Sequence, residues 1–230
     1  MDDFFVGGHG SSEYGARLLA SYTVSGVVIE RQRVQPTAGL RFVPAGSKLS
    51  LKEISLPVHV YGETPRDAQQ KKSSLDAALL ADPVELDLPD GYLYTASLKE
   101  IGDTSELTID GCILAGSYSL VGFRHDPLET AALPAGGGEL WVRGTAPDME
   151  CRITCTVGAA ADSYLMAGIL WVNVQAGDVL VLDGIKRVVT RNGVNALNMT
   201  DLTRWPLLAP GLNILTAPDA MTVEYYPIWL

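Results

Sequence analysis

Any chemistry in this chain would have to come from its histidines, cysteines or carboxylates, and their spacing argues against each. His9, His59 and His125 sit in unrelated contexts, and no Gly-x-Ser-x-Gly elbow presents a nucleophile. Gly46-Ser47-Lys48 superficially resembles a phosphate loop, but no glycine stands five positions before Gly46 and no long helix is expected after it, so backbone donors could not cradle a phosphate. The 27 acidic residues will form close pairs by accident, and a glycosidase pair can be recognised only in three dimensions. Cys151 and Cys155 fall in Met149–Val157, where apolar residues alternate strictly. Both thiols then face one side of a strand about 13 Å apart, at roughly 3.3 Å per residue, too far for a disulfide or a shared metal ion. They read as free thiols packing as small hydrophobes. No catalytic residue, metal site or cofactor is expected, and the chain reads as a non-enzyme.

The elements around these residues must therefore supply the function by their surfaces. Of 230 residues, 47% are apolar and 19% charged, enough to bury real cores. A net charge of -10 and a pI near 4.7 disfavour nucleic acid, whose phosphates need clustered Lys and Arg. No window reaches the roughly 20 apolar residues that span a bilayer, and Met1-Asp2-Asp3 lacks the basic start of a signal peptide. A soluble protein made in the cytosol, without membrane insertion, is expected.

The first 15 residues, with Gly7-Gly8-His9-Gly10, show little apolar periodicity and read as a mobile or partner-ordered arm. Strands are expected at 21–33 and 49–61. One helix is predicted over 64–81, with Thr64 as N-cap, Pro65 at the first helical position and Asp67 in the first turn. Ala68, Leu75, Ala78 and Leu79 form its apolar side, and Arg66, Gln69, Lys72, Ser73 and Asp76 its polar side. Short strands follow at 84–88, 92–101, 105–109 and 117–124, split by Pro89-Asp90-Gly91, Gly102-Asp103 and Asp110-Gly111. The stretch 127–139, with Gly136-Gly137-Gly138, lacks core periodicity and marks a domain boundary. Beyond it the segments 140–143, 149–157, 164–175, 178–182, 185–190 and 221–226 read as strands, with Asp183-Gly184 as a two-residue hairpin turn. The expected fold is mainly β with one helix: an N-terminal β domain over 1–130, a linker at 131–139 and a C-terminal β-sandwich over 140–230.

Three C-terminal segments resemble one known family. They are Gly177-Asp178-Val179-Leu180-Val181-Leu182-Asp183, then Trp205-Pro206-Leu207-Leu208-Ala209-Pro210-Gly211-Leu212-Asn213-Ile214, then Val223-Glu224-Tyr225-Tyr226-Pro227-Ile228-Trp229-Leu230. Their order and spacing are similar to the end of siphophage distal tail proteins. The positions that match that pattern are Asp183, Trp205, Pro206, Leu207, Pro210, Gly211, Asn213, Tyr225, Tyr226 and Pro227. Pro210-Gly211 suits a turn whose third residue needs positive φ, and Asn213 is placed to satisfy backbone groups at a strand entry. The N-terminal half, from Gly39 to Phe123, is more loosely similar to the family's ring-forming domain.

The resemblance implies a homohexameric ring built by N-terminal domains, with galectin-like sandwiches facing outward, in the virion at the distal end of the tail. Its implied partners are copies of itself, the tail tube protein, tail-tip proteins and receptor-binding proteins. Six subunits at -10 each would line a negative channel through which DNA slides without sticking. Ring contacts are expected on strands of 17–61 and 84–124, since free strand edges add readily to a neighbour's sheet. The rival reading is a carbohydrate-binding adhesion module, with Trp171, Trp205 or Trp229 stacking on sugar rings. An enzyme with an unconventional site and a hub subunit of a contractile machine are further rivals.

Overall fold

The computed structural model describes residues 3–34 and 43–230, so Met1, Asp2 and residues 35–42, with the start of the stretch from Gly39, lie outside the described residues. The chain divides into two compact units, residues 1–124 with 230, and residues 125–229. Among the described residues it is mainly β with one α-helix.

The N-terminal unit is organised around the strand Lys52–Tyr61. Ile54, Leu56, Val58 and Val60 point inward and are at most 1% exposed, while the residues between them point out, the period-2 pattern of a half-buried strand. It runs antiparallel to Ile113–His125 over ten paired positions, from Ile113 opposite Tyr61 to Gly122 opposite Lys52. The sheet continues through Leu93–Ile101, Val84–Asp87, Phe5–Val6 and His9–Gly10 on one side. On the other side lie two short strands, Ala16–Leu18 and Thr23–Val24. Pro57 is tolerated in this central strand for a local reason. Its carbonyl accepts from Leu19 N (2.9 Å), so its nitrogen faces the same side, in the gap between those two short strands where no ladder donor is required.

Residues 3–15 are not an arm. Phe4, Val6 and Ser11 are at most 2% exposed, and Tyr14 is 9% exposed. Phe5 and Val6 pair with Asp87 and Leu86. The glycines responsible for the weak periodicity are turn residues: Gly7 and Gly8 have φ of 57° and 83° and reverse the chain into His9–Gly10.

The helix is Pro65–Leu79, with Thr64 Oγ1 accepting from Asp67 N (3.2 Å). Its buried positions are Ala68, Lys72, Leu75 and Leu79. Lys72 therefore belongs to the buried side, contrary to expectation, because it lies four residues after Ala68 and three before Leu75 on one stripe. The ammonium is accommodated by Asp76 at 2.9 and 3.0 Å, while Tyr118 OH donates to the same carboxylate at 2.6 Å. Burial, then Asp76, raises the Tyr118 phenol well above its ordinary range. Replacing Thr64 by alanine removes a cap and should lower stability by about 1 kcal/mol, read as a fall in melting temperature by circular dichroism, whereas Thr64→Ser should keep it.

In the C-terminal unit, one sheet has the order Glu129–Leu133, Met221–Tyr225, Met149–Thr156, Val179–Asp183, Val188–Arg191 and Val194–Asn195, with Leu207–Leu208 added beside Met149. A ribbon of Gly138–Val142 with Gly211–Leu215 and a hairpin of Ala161–Met166 with Ile169–Val174 cover it. The two layers enclose Trp171, Met149, Cys151, Ile153, Met166, Leu182, Val223 and Tyr225, each at most 1% exposed.

Three expectations change here. The stretch expected as a linker at 131–139 holds most of one strand and the start of another, because Glu129–Leu133 pairs with Met221–Tyr225. Residues 164–175 are not one strand: Met166 faces Ile169, and the intervening Ala167 and Gly168 both have positive φ, 50° and 80°, the conformation of a type I′ turn. Asp183 pairs with Val188, so the next loop is residues 184–187 rather than a two-residue turn. Asp183 Oδ1 accepts from Lys186 N at 2.8 Å and closes it.

Candidate functional site

The residues singled out in the sequence fall into three groups rather than one pocket. In the first, Asp183 is 7% exposed, and its Oδ2 lies 3.9 Å from Arg152 Nε, while Arg152 Nη1 lies 3.5 Å from Glu224. Pro206 O accepts a weak bond from Cys151 Sγ (3.6 Å), and Leu207 pairs with Glu150. The Arg187 guanidinium stands 5.5 Å above the Trp205 ring and pairs with Glu150. Burial, then Asp183 and Glu150, pushes the Cys151 thiol up to about 12, which makes it inert at neutral pH.

The second group closes its own loop. Gly211 has φ of 91°. Asn213 donates to Ala209 O (2.7 Å) and Gly211 O (3.1 Å) and accepts from Ala209 N (3.0 Å), so one side chain satisfies the turn after Pro210.

The third group gathers where the unit begins. Buried Tyr225 donates to Glu129 Oε2 (2.6 Å) and accepts from Arg143 N (3.3 Å). Arg143 also pairs with Glu129 (2.8 Å) and Asp126 (3.3 Å). Tyr226 packs edge-on against His125 at 4.8 Å, and Pro227 O accepts from Asp126 N (3.0 Å). These contacts tie chain segments together; none leaves a reactive group aimed at a cavity.

The groups that could do chemistry are also dispersed. His9 meets Glu13 at 3.1 Å on an exposed surface, His59 packs on Tyr61, and His125 on Tyr226. Gly46, Ser47 and Lys48 lie inside the strand Val43–Leu49, which is not the loop-to-helix junction that holds phosphate. Cys151 and Cys155 are buried and free, and Cys155 Sγ lies 3.0 Å from Tyr164 OH.

Of the tryptophans considered for sugar stacking, Trp171 is 0% exposed and cannot meet a ligand. Trp205 is half-buried, with Arg187 over one face and the core packed against it. It borders a cleft of 250 Å³ with Asp201, Thr203 and Arg204, but Asp201 already accepts from Leu170 N (2.7 Å). Trp141, which residue type and spacing did not single out, is 71% exposed. Its neighbours Leu140 and Val142 are buried, so the run Leu140-Trp141-Val142 reads as core until the pleat is known. In the N-terminal unit a cleft of 650 Å³ is lined by Val28, Leu51 and Val121, with Glu30 and Glu53. Val28 and Leu51 are 62% and 53% exposed there.

Residues 146–229 match the family described as siphovirus-type tail component, C-terminal domain. The matched residues make up most of the C-terminal unit. The match holds the Trp205–Ile214 and Val223–Trp229 segments on which the resemblance was drawn. The whole chain is similar to the crystallised SPP1 Dit protein, described as a paradigm of the hub adsorption apparatus in phages infecting Gram-positive hosts. That overlay has a TM-score of 0.74 at 16% identity and covers 99% of each chain. It is also similar to chains of the phage P2 baseplate in its activated conformation. With calcium the TM-score is 0.55 at 8% identity, covering 95% of this chain and 92% of that one; with strontium it is 0.53 at 10%, covering 94% and 92%. At these identities the overlays establish the fold. No curated protein matches.

Proposed function

We propose that this chain is a structural subunit of a bacteriophage tail tip, a distal tail protein, and not an enzyme. Six copies form a ring through their N-terminal units, join the tail tube to tip or receptor-binding proteins, and leave a channel for DNA. The protein is made in the host cytoplasm and resides in the virion at the distal end of the tail. The C-terminal unit is a galectin-like sandwich directed toward partners.

The observation that carries this reading is the overlay on a phage hub protein across 99% of both chains, together with the tail-component domain at 146–229. The surfaces agree with it. The N-terminal sheet is open, with short strands at both edges, Ala16–Leu18 and Thr23–Val24 on one side and His9–Gly10 on the other. Exposed Val28, Ile29 and Leu51 lie within the 17–61 stretch, where free edges and apolar groups invite a neighbouring copy.

Mass in solution tests the ring. Six subunits of 24.6 kDa give a particle near 148 kDa by light scattering, and introducing a charge with Val28→Glu and Leu51→Glu should shift it toward 24.6 kDa. A species that stays monomeric at high concentration, is missing from purified tails and binds a glycan array would instead favour the adhesion module.

A further inference from the structure

The two outer faces of the C-terminal sandwich differ in a way the fold does not require. On the larger sheet, Thr130, Glu224, Arg152 and Asp183 stand side by side across neighbouring strands, and Thr222, Thr154, Val181 and Thr190 form the next row. That face is charged and hydroxyl-rich, as a solvated antiparallel sheet is expected to be. On the ribbon Gly138–Val142 with Gly211–Leu215, Trp141 stands opposite Leu212 and Glu139 opposite Ile214. Trp141, Leu212 and Ile214 are 71%, 53% and 71% exposed, while Leu140 and Val142 behind them are buried. Together the three expose on the order of 400 Å² of apolar surface, a patch of the size that on monomers is often functional.

We propose that this ribbon is the docking site for an extended strand of a different tail-tip protein, apolar where it meets Trp141 and basic where it meets Glu139. The inference rests on the tail-tip reading above. Among the described residues, Gly138–Val142 is hydrogen-bonded on one side only, so an added strand can complete its ladder while its alternate side chains reach the exposed face.

Charge decides between occupants. Glu139 is exposed beside the patch, and Arg143, the next alternate position after Trp141, is already paired with Glu129 and Asp126. A two-fold contact between copies would set the same patch against itself, and with Arg143 engaged elsewhere it would leave both Glu139 carboxylates without a cation. A partner with Lys or Arg at that position supplies the missing cation. A sugar is a poor match, since the groups beside the indole are Leu212 and Ile214 rather than hydrogen-bonding side chains.

The test places the photoreactive benzoylphenylalanine at position 141 of the full chain, assembles phage with it, and identifies cross-linked peptides in purified tails by mass spectrometry. A cross-link to a peptide of another structural protein, with Lys or Arg close by, is expected, and Glu139→Lys should lower its yield several-fold. Trp141→Ser, whose melting temperature should equal the wild type because the side chain is exposed, should give tails depleted in that same protein. A cross-link to a second copy of this chain, or none in tails that contain the chain, would overturn the docking proposal while leaving the tail-tip reading intact. Absence of the chain from purified tails would overturn both.

Discussion

Replacing Gly137 by alanine should destabilise the C-terminal unit by about 3 kcal/mol, whereas its two glycine neighbours should tolerate the same change far better. Gly137 has φ of 88°, and a Cβ there would lie 2.1 Å from Leu215 O and 2.6 Å from Thr216 Cα. Both the left-handed conformation and the backbone contact oppose the substitution, and neither can relax by rotating a side chain. Gly136 also has φ of 88° but nothing within 4 Å of a Cβ, so Gly136→Ala should show the conformational cost alone, roughly 1–2 kcal/mol. At Gly138 a Cβ meets only ordinary contacts at 3.5 Å, and Gly138→Ala should stay within about 0.5 kcal/mol of wild type. All four tryptophans, at 141, 171, 205 and 229, lie in this unit, so urea unfolding followed by tryptophan fluorescence reads the series directly. Equal, negligible effects at all three positions would mean that the segment is the linker its composition suggests.

Asp178→Ala should be equally severe, costing about 3 kcal/mol or more. Asp178 is 5% exposed. Its carboxylate accepts from Gln175 N (2.6 Å) and Asn192 Nδ2 (2.8 Å) and pairs with Arg191 Nη2 (2.6 Å). The substitution strands all three donors, one of them charged, in a site where Arg191 is itself mostly covered. Burial alone would raise this carboxyl, but the bonds from Gln175, Arg191 and Asn192 outweigh it and hold the group below its ordinary value. A depressed folded value stabilises the protein above the unfolded one, near 3.9, and that stabilisation is lost as pH falls through the folded value. The stability gap between wild type and Asp178→Asn should therefore be full at neutral pH and close below about pH 4. A gap that persists unchanged in acid would show that packing, not charge, holds the turn.

Much of the fold was legible because alternation and punctuation report local geometry. The strands around Ile54 and Cys151 follow from period-2 burial, and the helix from its cap and proline. Two misreadings share one cause: glycine and small residues weaken periodicity equally in a mobile tail and in a tight turn. Gly7-Gly8 and Gly136-Gly137 looked like absence of structure, yet they reverse the chain between strands. Ala167-Gly168 was overlooked for the opposite reason, since an alanine with positive φ leaves no compositional sign. Lys72 was misplaced because a lysine's charge hides the apolar stem that a partner such as Asp76 allows to be buried.

The candidate site was legible only in part. Trp205, Tyr225 and their neighbours marked the family because they hold the domain together. Trp141, Leu212 and Ile214 have the residue types of a core, and only the pleat reveals that they face outward.

The pairing of Glu129–Leu133 also bears on how the protein is made. Among the described residues its one ladder partner, Met221–Tyr225, follows some ninety residues later. At the usual pace of synthesis, roughly 5–20 residues per second, that strand leaves the ribosome and waits about 5–20 s before its complement exists. The sandwich consequently cannot close around its core until its last strands have been synthesised.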